Sequence, residues 1–158
     1  MRDPSDRGNP RVAPRHFEVL PGWEARGVVV PQRQTGRAAG YDLAAAESVR
    51  LAPGQVAMVP TGLCVRLPPD EFLAIYVRSG VAVRRGLVLA NGVAVIDADY
   101  IDSPGGGHIL IALRNIGGAV ADVGAGERIA QGIFQPYRLA DGDAASGARD
   151  GGFGSTGT

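Results

Sequence analysis

Turn-forming residues punctuate this chain so often that no long helix fits between them. In "SVRLAPGQVAMVPTGLCVRLP", Pro53-Gly54 and Thr61-Gly62 close runs rich in Val, Leu and Met. Proline presets φ and glycine reaches positive φ, so such pairs mark tight turns between short strands. With 24 glycines and 11 prolines, these residues make up more than a fifth of the chain. The plentiful Val, Ile and Leu separate it from a disordered Gly/Pro-rich segment. Strands are expected at "HFEVL", "GVVVPQ", "AGYDLA", on both sides of Pro53-Gly54, in "EFLAIYV", in "GLVLANG" and in "VAVIDADY". Further strands follow in "HILIALRNIG" and "RIAQGIFQPYRLA", with "GAVADVGAGE" as the loop between them. The alanines after Tyr41 would suit a helix, but Gly40 and the turn-rich segment that follows favour strands. One helical turn is expected, near Ser79–Val83. The pattern is that of an all-β sandwich, barrel or jelly roll.

A length of 158 residues suits one domain. Sixteen basic and sixteen acidic side chains balance, so bulk charge favours neither nucleic acid nor a membrane as partner. The lone Cys64 excludes an intramolecular disulfide and lies in an alternating segment, which makes it a core residue. With no apolar run of membrane-spanning length and no hydrophobic stretch in "MRDPSDRGNP", the expected location is cytoplasmic. Residues 1–14 read as a flexible leader, 15–140 as the β domain and 141–158 as a mobile tail.

Five stretches carry chemistry that a purely structural β domain does not need. They are "AGYDL" with Asp42, "RSG" at 78–80, "NGVAVIDADY" with Asn91, Asp97, Asp99 and Tyr100, "GERIAQ" with Gln131, and the tail "RDGGFGSTGT". Singly, each reads as an ordinary turn or strand end. Together they form a kit for a polyphosphate: guanidinium and glycine amides for oxygens, carboxylates for metal and water.

In this order and spacing the five stretches resemble the motifs of the trimeric dUTPases, from about Ala39 to Thr156. The resemblance implies a distorted jelly roll of the β-clip type, a homotrimer with sites shared between subunits, dUTP as substrate and Mg²⁺ as cofactor. It implies that Asp97 orients and deprotonates the attacking water; Asp99 competes for that role on the residues alone, since strand alternation would put both on one face. Tyr100 would pack on the deoxyribose, and Asn91 with the backbone of Val95, Ile96 and Asp97 would read uracil. Arg78, Ser79 and the Gly80 amide would hold phosphates, with Ser79 on the oxygen bridging the α- and β-phosphates. Gln131 would contact phosphate or water, and Asp42 would hold waters of the Mg²⁺. In the tail, Arg149 would reach the γ-phosphate and Phe153 stack over uracil, while Gly154, Ser155 and Thr156 cradle phosphate oxygens, so that the end of the chain acts as a lid.

The match departs after Tyr100, where "IDSPGGGHILIALRN" is longer than the family's usual turn and reads as an extended flexible hairpin tip. Leu110, counted back from Asn115, is placed as a backbone contact. Asp102 and His108 flank the insertion, but two ligands on a loop fall short of a metal site. Two alternatives share the fold: a dCTP deaminase and a non-catalytic nucleotide-sensing protein. The deaminase carries a glutamate as its acid/base in the strand where this chain has Ala112.

Overall fold

A computed structural model describes residues 15–147 together with Arg149 and Gly151. The expectations for residues 1–14 and for Phe153, Gly154, Ser155 and Thr156 lie outside the described residues. Among the described residues the framework is eleven short strands, one α-helix and two short 3-10 helices, in line with an all-β jelly roll. The strands run β1 (His16–Val19), β2 (Tyr41–Ala44), β3 (Val49–Leu51), β4 (Val56–Pro60), β5 (Leu63–Arg66) and β6 (Glu71–Val77). Helix α1 (Ser79–Arg85) follows, then β7 (Leu87–Leu89), β8 (Ala94–Ile96), β9 (Leu110–Asn115), β10 (Ala121–Val123) and β11 (Arg128–Pro136).

Among the described residues every pairing is antiparallel. One sheet has the order β2-β11-β6-β8 and a second β4-β9-β7; β1-β5 and β10-β3 form two-stranded ribbons. Their inward faces meet in a core of Leu43, Leu73, Ile75, Leu87, Ile111 and Ile129, all fully buried. Alternation along β9 places Ile111 and Leu113 inside while Arg114 faces water. Phe17, Tyr41 and Phe134 close one end of the core with ring centroids 5.5–5.6 Å apart. Cys64 is buried, as its alternating segment implies. Asn115 is fully buried, donating to the carbonyls of Leu51 (3.0 Å) and Ala119 (2.8 Å) and accepting from the Gly117 amide. Both of its amide hydrogens and its carbonyl oxygen are thereby engaged.

The structure corrects several local expectations. "GVVVPQ" forms no strand: Val29 is 75% exposed, and no ladder engages it. "VAVIDADY" leaves the strand at Ile96 and continues as a 3-10 helix over Ala98–Asp102, so strand alternation does not relate Asp97 to Asp99. The "GAVADVGAGE" segment contains β10, paired with β3. The helical turn extends to Arg85, where Gly86 at φ 61° caps it. The insertion is a folded knot, not an extended tip: Ser103 and Gly107 are buried, and Gly105, Gly106 and Gly107 all take positive φ. A Cβ at Gly107 would stand 2.7 Å from Ile101 Cα, so only glycine admits this return of the chain.

Candidate active site

Cross-strand register builds the first half of the site. Asp42 on β2 sits opposite Gln131 on β11, and Gln131 opposite Tyr76 on β6. A bulge between Arg128 and Ala130 shifts the register there, as bulges beside functional sites often do. It leaves the Arg128 side chain able to reach Asp42, with Nη1 3.0 Å from Oδ2. From the far side Arg78 Nε stands 3.2 Å from Asp42 Oδ1. The Asp42 side chain is only 12% exposed, and two guanidinium groups offset the cost of removing its charge from water. At Gly40 any Cβ would overlap the Gln131 side-chain oxygen, so the glycine that reads as a turn residue also makes room for Gln131.

Arg78 follows β6 directly in extended conformation, and its carbonyl accepts from the amides of Val81 (2.9 Å) and Ala82 (3.0 Å) to start α1. The opening amides of a helix have no partner within it, which leaves those of Ser79 and Gly80 for an anionic oxygen. Beside them lies a cleft of about 700 Å³ lined by Arg78, Ser79, Gly80, Arg84, Arg85 and Arg128. Arg85 is paired to Glu127, and Arg78 and Arg128 share Asp42. The cleft therefore concentrates positive charge that neighbouring carboxylates only partly cancel. A second cleft, about 720 Å³, runs from Asp42 and Arg128 past Val29 and Val30.

The second half of the site grows from β8. This is the outer strand of its sheet, and among the described residues no strand pairs with its far edge, so backbone groups around the exposed Val95 are left open. The preceding turn holds Asn91, exposed, beside Gly92 at φ 73°. Asp97 caps the following 3-10 helix in extended conformation. Its side chain and that of Asp99 are 53% and 52% exposed, and one guanidinium bridges them. Arg149 Nη2 lies 2.5 Å from Asp97 Oδ2, and Arg149 Nε 2.7 Å from Asp99 Oδ1. The Asp99 hydrogen bond and the charge of both carboxylates push the Arg149 pKa up, and its side chain is just 14% exposed. Its Cζ lies 5.7 Å from the centroid of the Tyr100 ring. Burial pushes the Tyr100 phenol up, which keeps it protonated, and the hydroxyl donates to the His108 carbonyl at 3.1 Å.

Within one chain the two halves stand apart. Ile96 pairs with Leu73 near the start of β6, so Asp97 leaves the sheet at that end. Arg78 and α1 leave from the other end of this seven-residue strand, about 20 Å away at ordinary strand rise. The chain thus groups Asp42, Arg78, Ser79, Gly80 and Gln131 in one place and Asp97, Tyr100 and Arg149 in another. Leu110 opens β9 opposite Pro60 and is half-buried.

Residues 26–157 match the family model for dUTPase. The deoxyuridine 5'-triphosphate nucleotidohydrolase of Lactococcus lactis subsp. lactis (strain IL1403) is 43% identical over 146 residues, covering 90% of this chain and 97% of that one. The chain belongs to the dUTPase family. The corresponding dUTPase protein of Desulfitobacterium hafniense (strain Y51) is 44% identical over 136 residues, 81% of this chain and 87% of its own. The crystal structure of dUTPase from Streptococcus mutans superposes with a TM-score of 0.75 at 38% identity, covering 80% of this chain and 99% of that one.

For a dUTPase site, the sequence reading passes over three arginines. Arg128 lies inside the quoted "GERIAQ" and, beside the β11 bulge, reaches Asp42. Arg84 and Arg85 lie within α1 a turn or so beyond Arg78–Gly80, a helical spacing that places them beside the same cleft.

Proposed function

We propose that this chain hydrolyses dUTP to dUMP and pyrophosphate as a homotrimer, at sites assembled between its copies, with Mg²⁺ bound to the nucleotide. By doing so it limits uracil incorporation into DNA and supplies dUMP for dTMP synthesis. The activity is that of the dUTPase family to which the chain belongs. The observation that carries the reading is the arginine-lined cleft at the start of α1, which suits a polyanion. Its separation from Asp97 is the reason for a second copy, because a single chain does not bring base and phosphate turn together.

In this reading Asp97 from one copy accepts a proton from water as the water oxygen bonds to the α-phosphorus. The bond from that phosphorus to the α,β-bridging oxygen breaks in line, and its electron pair leaves with pyrophosphate. Charge gathers on the bridging oxygen, where Ser79 and the Gly80 amide of another copy donate hydrogen bonds. Gln131 orients water or phosphate beside Asp42, its cross-strand neighbour. Tyr100 lies against the deoxyribose, and Asn91 with the open β8 edge reads uracil. A pocket of that kind rejects cytosine, whose exocyclic amino group would face a donor, and lacks room for the thymine methyl.

The donor set fits a metal ion carried in by the nucleotide. Each Asp42 oxygen spends one lone pair on an arginine and keeps another for a metal-bound water. Among the described residues no three ligating side chains converge into a protein-built site. When bound, Mg²⁺ neutralises triphosphate oxygens and fixes their conformation. Among the described residues no helix is long and apolar enough to cross a membrane.

Pyrophosphate release from dUTP with Mg²⁺ tests the function. It is expected at a rate that dCTP and UTP do not approach. Incubation with dCTP is expected to yield no ammonia, because buried Ala112 on β9 cannot shuttle a proton. Binding of dUTP without turnover would favour the sensor; ammonia from dCTP would favour the deaminase.

A further inference from the structure

We infer that His108, at the end of the inserted loop, is a positioning residue that sets the chain's discrimination against ribonucleotides by holding Tyr100 in place. The inference rests on the reading of Tyr100 as the ring that packs on the sugar. It begins with the hydroxyl of Tyr100, which donates to the backbone carbonyl of His108. The other end of the residue is tied back by Ser103, whose Oγ donates to the Tyr100 carbonyl at 2.7 Å. The hydroxyl bond thus couples the position of the ring to that of the His108 carbonyl.

That carbonyl belongs to the peptide unit whose Ile109 amide donates to the Leu63 carbonyl at 2.8 Å, and the His108 side chain adds a second tie. His108 Nε2 accepts the Gly62 amide at 2.9 Å, in the segment that pairs with Ile109. Since a backbone N–H can only donate, Nε2 carries no proton and the neutral ring holds its proton on Nδ1. Trp23 packs edge-on against the imidazole with centroids 5.1 Å apart. Gly62 itself is confined, with φ 69° and a position where any Cβ would lie 2.9 Å from the Trp23 ring and from Val28. The glycine turn at 105–107 is the return path that brings His108 to this anchor. A loop that reads as a loose insertion is thus pinned at the residue that supports Tyr100.

Sugar discrimination depends on where the ring face stands, because a 2′-hydroxyl is excluded only if the ring cannot yield. The observable is kcat/KM for dUTP divided by kcat/KM for UTP. His108→Phe keeps the aromatic edge for Trp23 but leaves the Gly62 amide without an acceptor. His108→Gln places Oε1 as many bonds from Cβ as Nε2, so it restores the acceptor. The ratio is expected to fall about tenfold in His108→Phe and to stay within about twofold of wild type in His108→Gln. Tyr100→Phe, which deletes only the hydroxyl, is expected to match His108→Phe, and the double variant to fall no further than either alone.

An unchanged ratio in His108→Phe or Tyr100→Phe, an equal fall in His108→Gln, or additive effects in the double variant would each overturn the inference. Should His108→Phe not fold, Tyr100→Phe and His108→Gln still decide it. Tyr100→Ala separates the two layers of the argument. An unchanged ratio there refutes the reading of Tyr100 itself, whereas a collapsed ratio beside an unaffected His108→Phe refutes only the role of His108.

Discussion

Asp97→Asn is expected to lower kcat for dUTP by about 10³-fold while leaving affinity for an uncleavable dUTP analogue within a few-fold. The change keeps the shape of the side chain and its capacity to accept one hydrogen bond, but removes the basic oxygen. General-base contributions typically run from about 10² to 10⁴. Because Asp97 and Asp99 are almost equally exposed and share Arg149, their surroundings do not separate them. The companion variant Asp99→Asn makes the distinction and is expected to keep turnover within about fivefold of wild type, since loss of one exposed ion pair costs little. Single-turnover pyrophosphate release together with calorimetric titration of the analogue measures both quantities. Equal turnover by Asp97→Asn, or a larger loss in Asp99→Asn, would move the base elsewhere.

Removing residues 149–158 is expected to reduce kcat/KM by about 10²-fold or more, with the assembly mass unchanged. The magnitude follows from losing the arginine proposed to neutralise phosphate charge, together with the ring and amides proposed for the lid. Arg149 reaches the carboxylate half of the site, where it is bound to Asp97 and Asp99. In the proposed role, a triphosphate must draw the guanidinium from two carboxylates before its own charge is neutralised. Both steps are charge-assisted, so the residual rate of Arg149→Ala should lose much of the wild type's sensitivity to salt. Sedimentation velocity and steady-state kinetics on the same preparation read both effects. An unaffected rate would remove the lid from the mechanism, and dissociated chains would make the tail a structural element instead.

Much of this architecture is legible in the chain because turns and alternation are local signals. The strands around Pro53-Gly54, "EFLAIYV" and the β9 segment stand where alternation puts them. Misreadings arise where tertiary partners decide. "GVVVPQ" has the composition of a strand but no neighbour to pair with, and β10 has loop-like composition yet finds β3. The end of "VAVIDADY" winds into a 3-10 helix after Asp97, which periodicity over eight residues does not reveal. The insertion's glycines read as slack but are positive-φ corners of a packed knot. At the candidate site, residue types point to the turn at Arg78–Gly80, which lines the arginine-rich cleft. The pairing of Arg128 with Asp42 lies beside the bulge, and the bridging of Asp97 and Asp99 by Arg149 joins residues about fifty positions apart. Contacts of that range leave no trace in local pattern.

The claim on which the account depends is that base and phosphate turn come from different copies of the chain. Mixing two crippled variants, Asp97→Asn and Ser79→Ala, after co-refolding tests it directly. If sites are shared, random assortment pairs an intact Asp97 with an intact Ser79 at about a quarter of the sites, and activity should rise to roughly that fraction of wild type. If the mixture stays at the level of its parents, each site lies within one chain, and the assembly described above is wrong.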